Sequence, residues 1–201
     1  MFDVLVESLK KFITITDDEI DLLKSKLEVR KIRKKQWLVT PGEYCRAEHF
    51  ISKGVFRAYC IDDNGHEHIT KLSMEGWWIT DINSFISGEP ATQYVEALDD
   101  GEVIVFKKEV LEELYEKIPQ LNKFFRLLYQ LALCNNQQRI FRTISNTADK
   151  HYFHFIEQFP TIEQRIPQYM IASYLGITPE FLSKIKAKAK NKRPPKNILS
   201  Q

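Results

Sequence analysis

Cysteine is scarce in this 201-residue chain: Cys45, Cys60 and Cys134 are the full set. Their number is odd and their spacing matches no metal-ligand pattern. Neither a disulfide framework nor a zinc or iron–sulfur site is expected, and a reduced, cytoplasmic protein is. Glycine and proline are also few, at seven and eight. With 43% hydrophobic and 28% charged residues, that excludes a collagen-like or disordered chain and leaves an ordinary globular one of one to two domains. Long apolar runs are missing. The greasiest stretch, FFRLLYQLALC, is broken by Arg126 and falls short of a bilayer span. The opening MFDVLVESLKKF holds Asp3 and Glu7 inside its apolar stretch, so neither a signal peptide nor a membrane partner is expected. An excess of either charge is lacking too, since 29 Lys and Arg against 27 Asp and Glu give a net of +2. That balance is a cancellation. Residues 151–201 carry eight bases and three acids, a net of +5, and the other 150 carry 21 bases and 24 acids, a net of −3. Segments of opposite sign point to different tasks, and the basic end is the first functional lead.

What is present changes character along the chain. Leu5, Leu9 and Phe12, then Ile20, Leu23 and Leu27, recur at helical spacing, and Thr16 followed by Glu19 forms a capping-box signature before the second run. From about residue 28 to 107, short β-branched and aromatic runs (37–40, 49–52, 55–61, 68–73, 94–97 and 103–106) alternate with turn clusters. Asn64-Gly65 between two such runs predicts a hairpin. Six or more short strands imply a sandwich or barrel, whose closure would leave a central pocket. From Lys108 the pattern is helical, and Pro119 separates a short helix from a longer one reaching about Ser145. About 26 helical residues would extend roughly 40 Å. Leu121, Phe124, Leu128 and Leu131 follow 3-4-3 spacing, and Asn135 continues the seam with a polar residue of the kind that fixes register in a two-stranded coil. Phe125, Leu127 and Leu133 offer a second apolar face for the β-rich region. The alternative is an amphipathic helix packed on its own domain, with Asn135 simply exposed.

The segment RIPQYMIASYLGITPEFLSKIKAKAK, residues 165–190, carries the functional signal. Residues 168–175 read as a short helix with Ile171, Ala172 and Leu175 inward. Gly176 supplies a left-handed turn that a Cβ would make costly. Thr178-Pro179-Glu180 starts a second helix, with Thr as N-cap, Pro in the first turn and Glu near the positive helix end. Leu182 and Ile185 point back to the core. That spacing is the one a helix-turn-helix requires, and it leaves Glu180, Phe181, Ser183, Lys184, Ala187 and Lys188 free to enter a major groove. Lys184, Lys186, Lys188, Lys190, Lys192, Arg193 and Lys196 are interrupted by no acid. They spread around the helix, so some would read DNA and others would hold phosphate or stay solvated. A helical hairpin with a solvated lysine face is the plain alternative.

The order of helices, strand-rich region, long helix and helix-turn-helix resembles the cyclic-AMP-receptor/fumarate-nitrate-regulator (Crp/Fnr) superfamily of bacterial transcription regulators. The likeness spans nearly the whole chain. It is carried by Ile51-Ser52-Lys53-Gly54-Val55-Phe56-Arg57, Asn64-Gly65, Lys117-Ile118-Pro119-Gln120-Leu121 and the stretch from Ile166-Pro167-Gln168 through Ser183-Lys184-Ile185. The resemblance implies an α+β chain with three parts. These are a cyclic-nucleotide-binding-like β-roll (double-stranded β-helix) sensor over residues 1–118, a long dimerisation helix over 119–145 and a helix-turn-helix domain over 146–201. It further implies a homodimer on a pseudo-palindromic, double-stranded operator, with Thr178, Glu180, Phe181, Ser183, Lys184 and Lys188 on the DNA, RNA polymerase as a further partner, and no catalytic residue or cofactor. The dimer helix would present Leu121, Phe124, Leu128, Leu131 and Asn135.

Departures bear on the effector. Members that bind cyclic AMP carry Gly-Glu and, later, Arg-Ser in a phosphate-binding cassette; the matching positions here are Thr80-Asp81 and Ala91-Thr92. Without an arginine at 91 the strongest charge-assisted phosphate contact is gone. The small-molecule effector is therefore expected to be something other than cyclic AMP, or absent, with Asp81 still able to meet a hydroxyl. The N-terminal cysteine cluster of iron–sulfur members is missing. Ser183-Lys184-Ile185-Lys186 stands where Ser-Arg-Ile-Arg is common, which loses the bidentate guanidinium. The usual C-terminal wing strands are expected to be short or absent. Outside this pattern, His66-Glu67-His68 with His49 could converge on a metal as in a cupin-like enzyme, the rival reading. Trp77-Trp78 with Phe85 could line an effector pocket or belong to the core.

Overall fold

The computed structural model describes residues 2–192. It divides into two compact units, 1–137 and 138–201.

In the first unit, α1 (Phe2–Lys10) and α2 (Asp17–Lys26) precede the strands. The capping box at Thr16 forms as predicted: the Glu19 amide donates to Thr16 Oγ1 at 3.3 Å, and the Thr16 amide donates to Glu19 Oε2 at 2.8 Å. Eight strands follow: β1 (Glu28–Ile32), β2 (Trp37–Val39), β3 (Ala47–Lys53), β4 (Phe56–Ile61), β5 (Glu67–Ser73), β6 (Trp78–Ile79), β7 (Tyr94–Ala97) and β8 (Gly101–Lys107). They pair antiparallel in two four-stranded sheets, ordered β1-β8-β3-β6 and β2-β7-β4-β5. A short helix, α3 (Ile82–Ser87), lies between β6 and β7, and α4 (Lys108–Lys117) follows β8. The six strand runs read from sequence are all present, β4 and β5 joined through the Asn64-Gly65 turn. The short elements β1, β6 and α3 are additional.

The first sheet has two unlike faces. Paired positions share a face, so Ala47 with Lys107, and His49 with Val105 and Ile79, lie on one side. Phe50 with Ile104 and Trp78 lies on the other. On this second side Trp78 sits among Phe50, Phe106 and Phe125, with ring centroids 5.2, 4.8 and 5.0 Å away. Trp78 and Phe85 are buried and Trp77 is half-buried, which favours the core reading of these aromatics over the pocket reading. Glycine is required where β3 turns into β4. Gly54 has φ +103, and a Cβ there would stand 2.9 Å from the Gly101 Cα.

Helix α5 (Gln120–Ser145) begins immediately after Pro119, as expected. Its faces correct the seam read from sequence. Leu121 and Phe124 are fully buried beside Phe125 in the core of the first unit, with Leu128 packed against it. They cannot also meet a second chain. Leu133, assigned to the core-facing side, is 60% exposed. The cause is that α5 is apolar on more than one face, and the β-rich core takes the stripe centred on 121, 124, 125 and 128. Beyond it, residues 130–138, including Leu131 and Asn135, are all exposed.

The second unit contains α6 (Ala148–Gln158), a 3-10 turn at Ile162–Gln164, α7 (Gln168–Leu175) and α8 (Pro179–Lys192). Its core joins Phe155, Phe159 and Ile162 to Ile171, Ala172, Leu182 and Ile185.

Candidate nucleic-acid interface and sensor cavity

The turn between α7 and α8 is built as its residues require. Gly176 adopts φ 69 and ψ 33, and the Ile177 amide donates to the Ala172 carbonyl at 3.0 Å, a Schellman-type stop. Thr178 Oγ1 accepts from the Phe181 amide at 3.2 Å and caps α8. With Leu182 and Ile185 buried, Glu180, Phe181, Ser183, Lys184, Ala187 and Lys188 are exposed together on one face. These six groove-facing side chains are thus brought together, and Thr178, also expected on the DNA, is exposed as well, with two qualifications. Thr178 serves the cap, and the Ser183 hydroxyl donates to the Pro179 carbonyl at 3.0 Å. The Glu180 carboxyl, held by its own amide and by Thr178, is shifted below the usual carboxylate range. Lys184 and Lys188 make no ion pair among the described residues. Lys186 differs: its ammonium pairs with Glu163 at 2.9 Å, and that carboxylate also accepts from the Tyr152 hydroxyl at 2.8 Å. Lys186 therefore braces the unit. Arg193, Lys196, the side chains of Lys190 and Lys192, and any wing strands lie outside the described residues.

The expected effector residues take a different part. Asp81 is fully buried and caps α3: Oδ1 accepts from the Ser84 amide at 3.1 Å, and Oδ2 accepts from the Thr92 and Gln93 amides at 2.9 and 3.2 Å. Both oxygens are engaged, which corrects the expectation that Asp81 meets a ligand hydroxyl. Thr80 Oγ1 donates to the Ala47 carbonyl, and Ala91 exchanges backbone hydrogen bonds with Gly42 and Glu43. A cyclic phosphate does not fit here. The amides that could receive it already hold a carboxylate, and Ala91 offers no cation.

The metal reading fails on geometry. His68 Nε2 bonds Asp62 Oδ2 at 2.8 Å at the exposed hairpin turn, while His49 is buried on β3. Among the described residues no three His, Cys, Asp or Glu side chains gather as a metal site, so the cupin-like set does not assemble. The three cysteines are free, Cys45 buried and Cys134 exposed. They do not fit an iron–sulfur cluster.

What sequence reasoning missed is a cleft of about 330 Å³ inside the first unit, between β1, β3 and β8 on one side and β2 with the following loop on the other. Arg30, Arg46 and Lys107 line it, as does His49. His49 is 3% exposed, and burial, then the Arg30 charge, lowers its pKa to about 4 against the opposing pull of the Ile79 backbone. Its Nδ1 has no partner. The available signal was a histidine set within an apolar strand, read instead as a metal ligand. Nearby, Glu48 accepts from the Tyr129 hydroxyl of α5, and burial raises its pKa.

Comparisons agree with this architecture. The cyclic nucleotide-binding domain family matches residues 29–118. The fumarate and nitrate reduction regulatory protein of Vibrio cholerae is 26% identical over 186 residues, covering 86% of this chain and 73% of that one. The anaerobic regulatory protein of Pasteurella multocida is also 26% identical, covering 86% and 67%. Among solved structures, FixK2 from Bradyrhizobium japonicum superposes with a TM-score of 0.73 at 17% identity, covering 83% of this chain and 85% of that one. CLP, a c-di-GMP responsive global regulator of Xanthomonas campestris, gives 0.65 at 14% identity, covering 88% and 92%. Over most of its length the chain is thus similar to fumarate and nitrate reduction regulatory proteins, and residues 29–118 match a cyclic nucleotide-binding domain in which Asp81 binds three backbone amides of the chain itself.

Proposed function

We propose that the protein is a homodimeric, sequence-specific DNA-binding transcription regulator that reads a pseudo-palindromic operator through α8. In this reading residues 1–118 are the sensor, 119–145 the dimer helix and 146–201 the DNA-binding domain. The protein works in the cytoplasm with RNA polymerase as its further partner and has no enzymatic activity. The observation that carries it is the exposed face of α8, where Glu180, Phe181, Lys184 and Lys188 stand clear while Leu182 and Ile185 are buried. Dimerisation is supported by the second half of α5, where Leu131, Leu133, Ile140, Phe141 and Ile144 are all exposed. A helix with that much uncovered apolar surface gains by association with a second copy. The β-roll senses a molecule other than cyclic AMP, or none.

Selection of bound fragments from random DNA at controlled salt tests the reading, with an enriched palindrome expected and none overturning it. Lys184→Ala should then weaken binding to the selected site by about 1–3 kcal/mol and leave non-specific binding nearly unchanged. Equal losses on both DNAs would reject a base-reading role for Lys184.

A further inference from the structure

The exposed face of α8 carries one large apolar side chain among polar ones. Phe181 is 45% exposed. The ring contacts of the second unit join Tyr152 to Phe153, and Phe155 and Phe159 to Tyr174, and among the described residues Phe181 stands outside them. Single exposed apolar residues are common, so exposure alone decides nothing. Position does. Phe181 is the third residue of α8, in the first turn that a recognition helix directs at base edges. Its amide donates to Thr178 Oγ1 at 3.2 Å, so the cap fixes the backbone that carries the ring. Lys184 is its neighbour one turn on, since side chains three apart stand about 5–6 Å from each other on a helix. Three residues rise about 4.5 Å, little more than the roughly 3.4 Å step between base pairs, so the two side chains address the same or adjacent pairs.

The chemistry around the ring narrows what it can meet. Glu180, whose carboxyl is shifted below the usual range and so stays ionised, can only accept, and Lys184 can only donate. The Ser183 hydroxyl already donates to the Pro179 carbonyl at 3.0 Å. A phenyl ring neither pairs with phosphate nor makes the hydrogen bonds that distinguish most base edges. The one apolar group that unmodified bases present in the major groove is the C5 methyl of thymine. We infer that Phe181 is a specificity-determining residue, packing its ring on a thymine methyl at or beside the base pair that Lys184 reads. The inference rests on the reading of α8 as the DNA-contacting helix and deepens it by one base.

The test uses the full chain and the operator selected from random, unmethylated DNA, in which thymine is the sole source of a C5 methyl. Each thymine of one half-site is replaced in turn by deoxyuridine, which removes the methyl alone. One replacement is expected to weaken wild-type binding about fourfold, the worth of about one buried methylene. That thymine should lie within one base pair of the position where Lys184→Ala relaxes base preference. Phe181→Ala should bind the thymine operator more weakly and no longer distinguish thymine from deoxyuridine there, while Phe181→Leu, still apolar, should keep the distinction. Non-specific DNA should bind all three proteins alike, because the ring neutralises no phosphate. A selected operator with no methyl-sensitive thymine, or a sensitivity that survives in Phe181→Ala, would overturn the role of Phe181 and leave α8 as the reader. Failure to select any operator would overturn both.

Discussion

The two units place their polar chemistry in opposite ways. Among the described residues, every buried polar or charged side chain (Glu48, His49, Arg57, Ser73, Asp81, Ser84 and Glu96) belongs to the first unit, while the buried set of the second is hydrophobic throughout. The contrast follows from what burial demands. A polar group taken from water must be paired or it costs free energy. In the first unit the pairing is mostly internal: Asp81 holds three amides, and Arg57 donates to Glu96 at 2.7 Å. Among the described residues, His49 Nδ1 and Trp78 Nε1 in the first unit and His151 Nε2 in the second are buried polar atoms outside that accounting. In the second unit, charges such as Lys184 and Lys188 sit outside, where a partner can use them without disturbing the fold. An interior built around polar groups suits a sensor, and an apolar interior with a charged exterior suits a surface reader.

The largest effect that separates the two designs is expected at Asp81. Asp81→Ala leaves the amides of Ser84, Thr92 and Gln93 without their acceptor. The predicted loss is about 2–4 kcal/mol, read as a shift of the urea midpoint. A loss below about 1 kcal/mol would mean that water satisfies these amides, and that Asp81 does not organise the corner. An exposed charge of the second unit changed in parallel, Lys188→Ala, should move the midpoint by no more than about 0.5 kcal/mol.

A smaller contrast is expected in pH dependence. The folded-state pKa of His49 lies near 4, below its ordinary 6.5, so between those values the unfolded chain binds the extra proton. Stability is therefore full above about pH 6.5 and falls as pH drops towards 4, by about 2 kcal/mol between pH 7 and 5 from this residue. Glu48 acts in the opposite sense, since its raised pKa favours the folded state as pH falls. Comparing wild type with His49→Gln isolates the histidine, because Glu48 is common to both. Urea unfolding at pH 5 and 7 should show a steeper decline in the wild type, and parallel profiles would sink the assignment.

How much of this was legible in the sequence depends on how local each signal is. The α7–α8 pair could be read closely because Gly176, Thr178-Pro179 and the spacing of Ala172, Leu182 and Ile185 all act within one short stretch. The Thr16–Glu19 box and the Asn64-Gly65 hairpin were legible for the same reason. β6 has only Trp78 and Ile79, too few for a period, and β1 reads EVRKI, with Ile32 its one fully buried residue. The stripes on α5 were visible, but periodicity cannot tell a helix's own core from a second chain, and Leu121 and Phe124 went to the former. The role of Asp81 was hidden because two of its partners are backbone amides eleven and twelve residues away. Side-chain type carries no record of such a contact. A central pocket was expected from strand closure, but the lining of the cleft was hidden likewise, since β1, β3 and β8 belong to one sheet and β2 to the other.

The smallest predicted effect tests whether the second unit is as indifferent to its polar side chains as the contrast implies. Beside the Lys186–Glu163 pair, Thr178 is an exception, an exposed hydroxyl whose Oγ1 caps α8 through the Phe181 amide. Thr178→Ala should cost about 1 kcal/mol, the usual worth of an N-cap, and Thr178→Ser should restore most of it. If Thr178 also reached a base edge, the serine variant would recover stability but lose discrimination wherever the γ-methyl meets a thymine methyl. Thermal unfolding and operator binding, measured on the same two variants, distinguish a cap from a reader. Recovery of both in Thr178→Ser would make Thr178 a positioning residue that sets the first turn of α8, leaving recognition to Glu180, Phe181, Lys184 and Lys188.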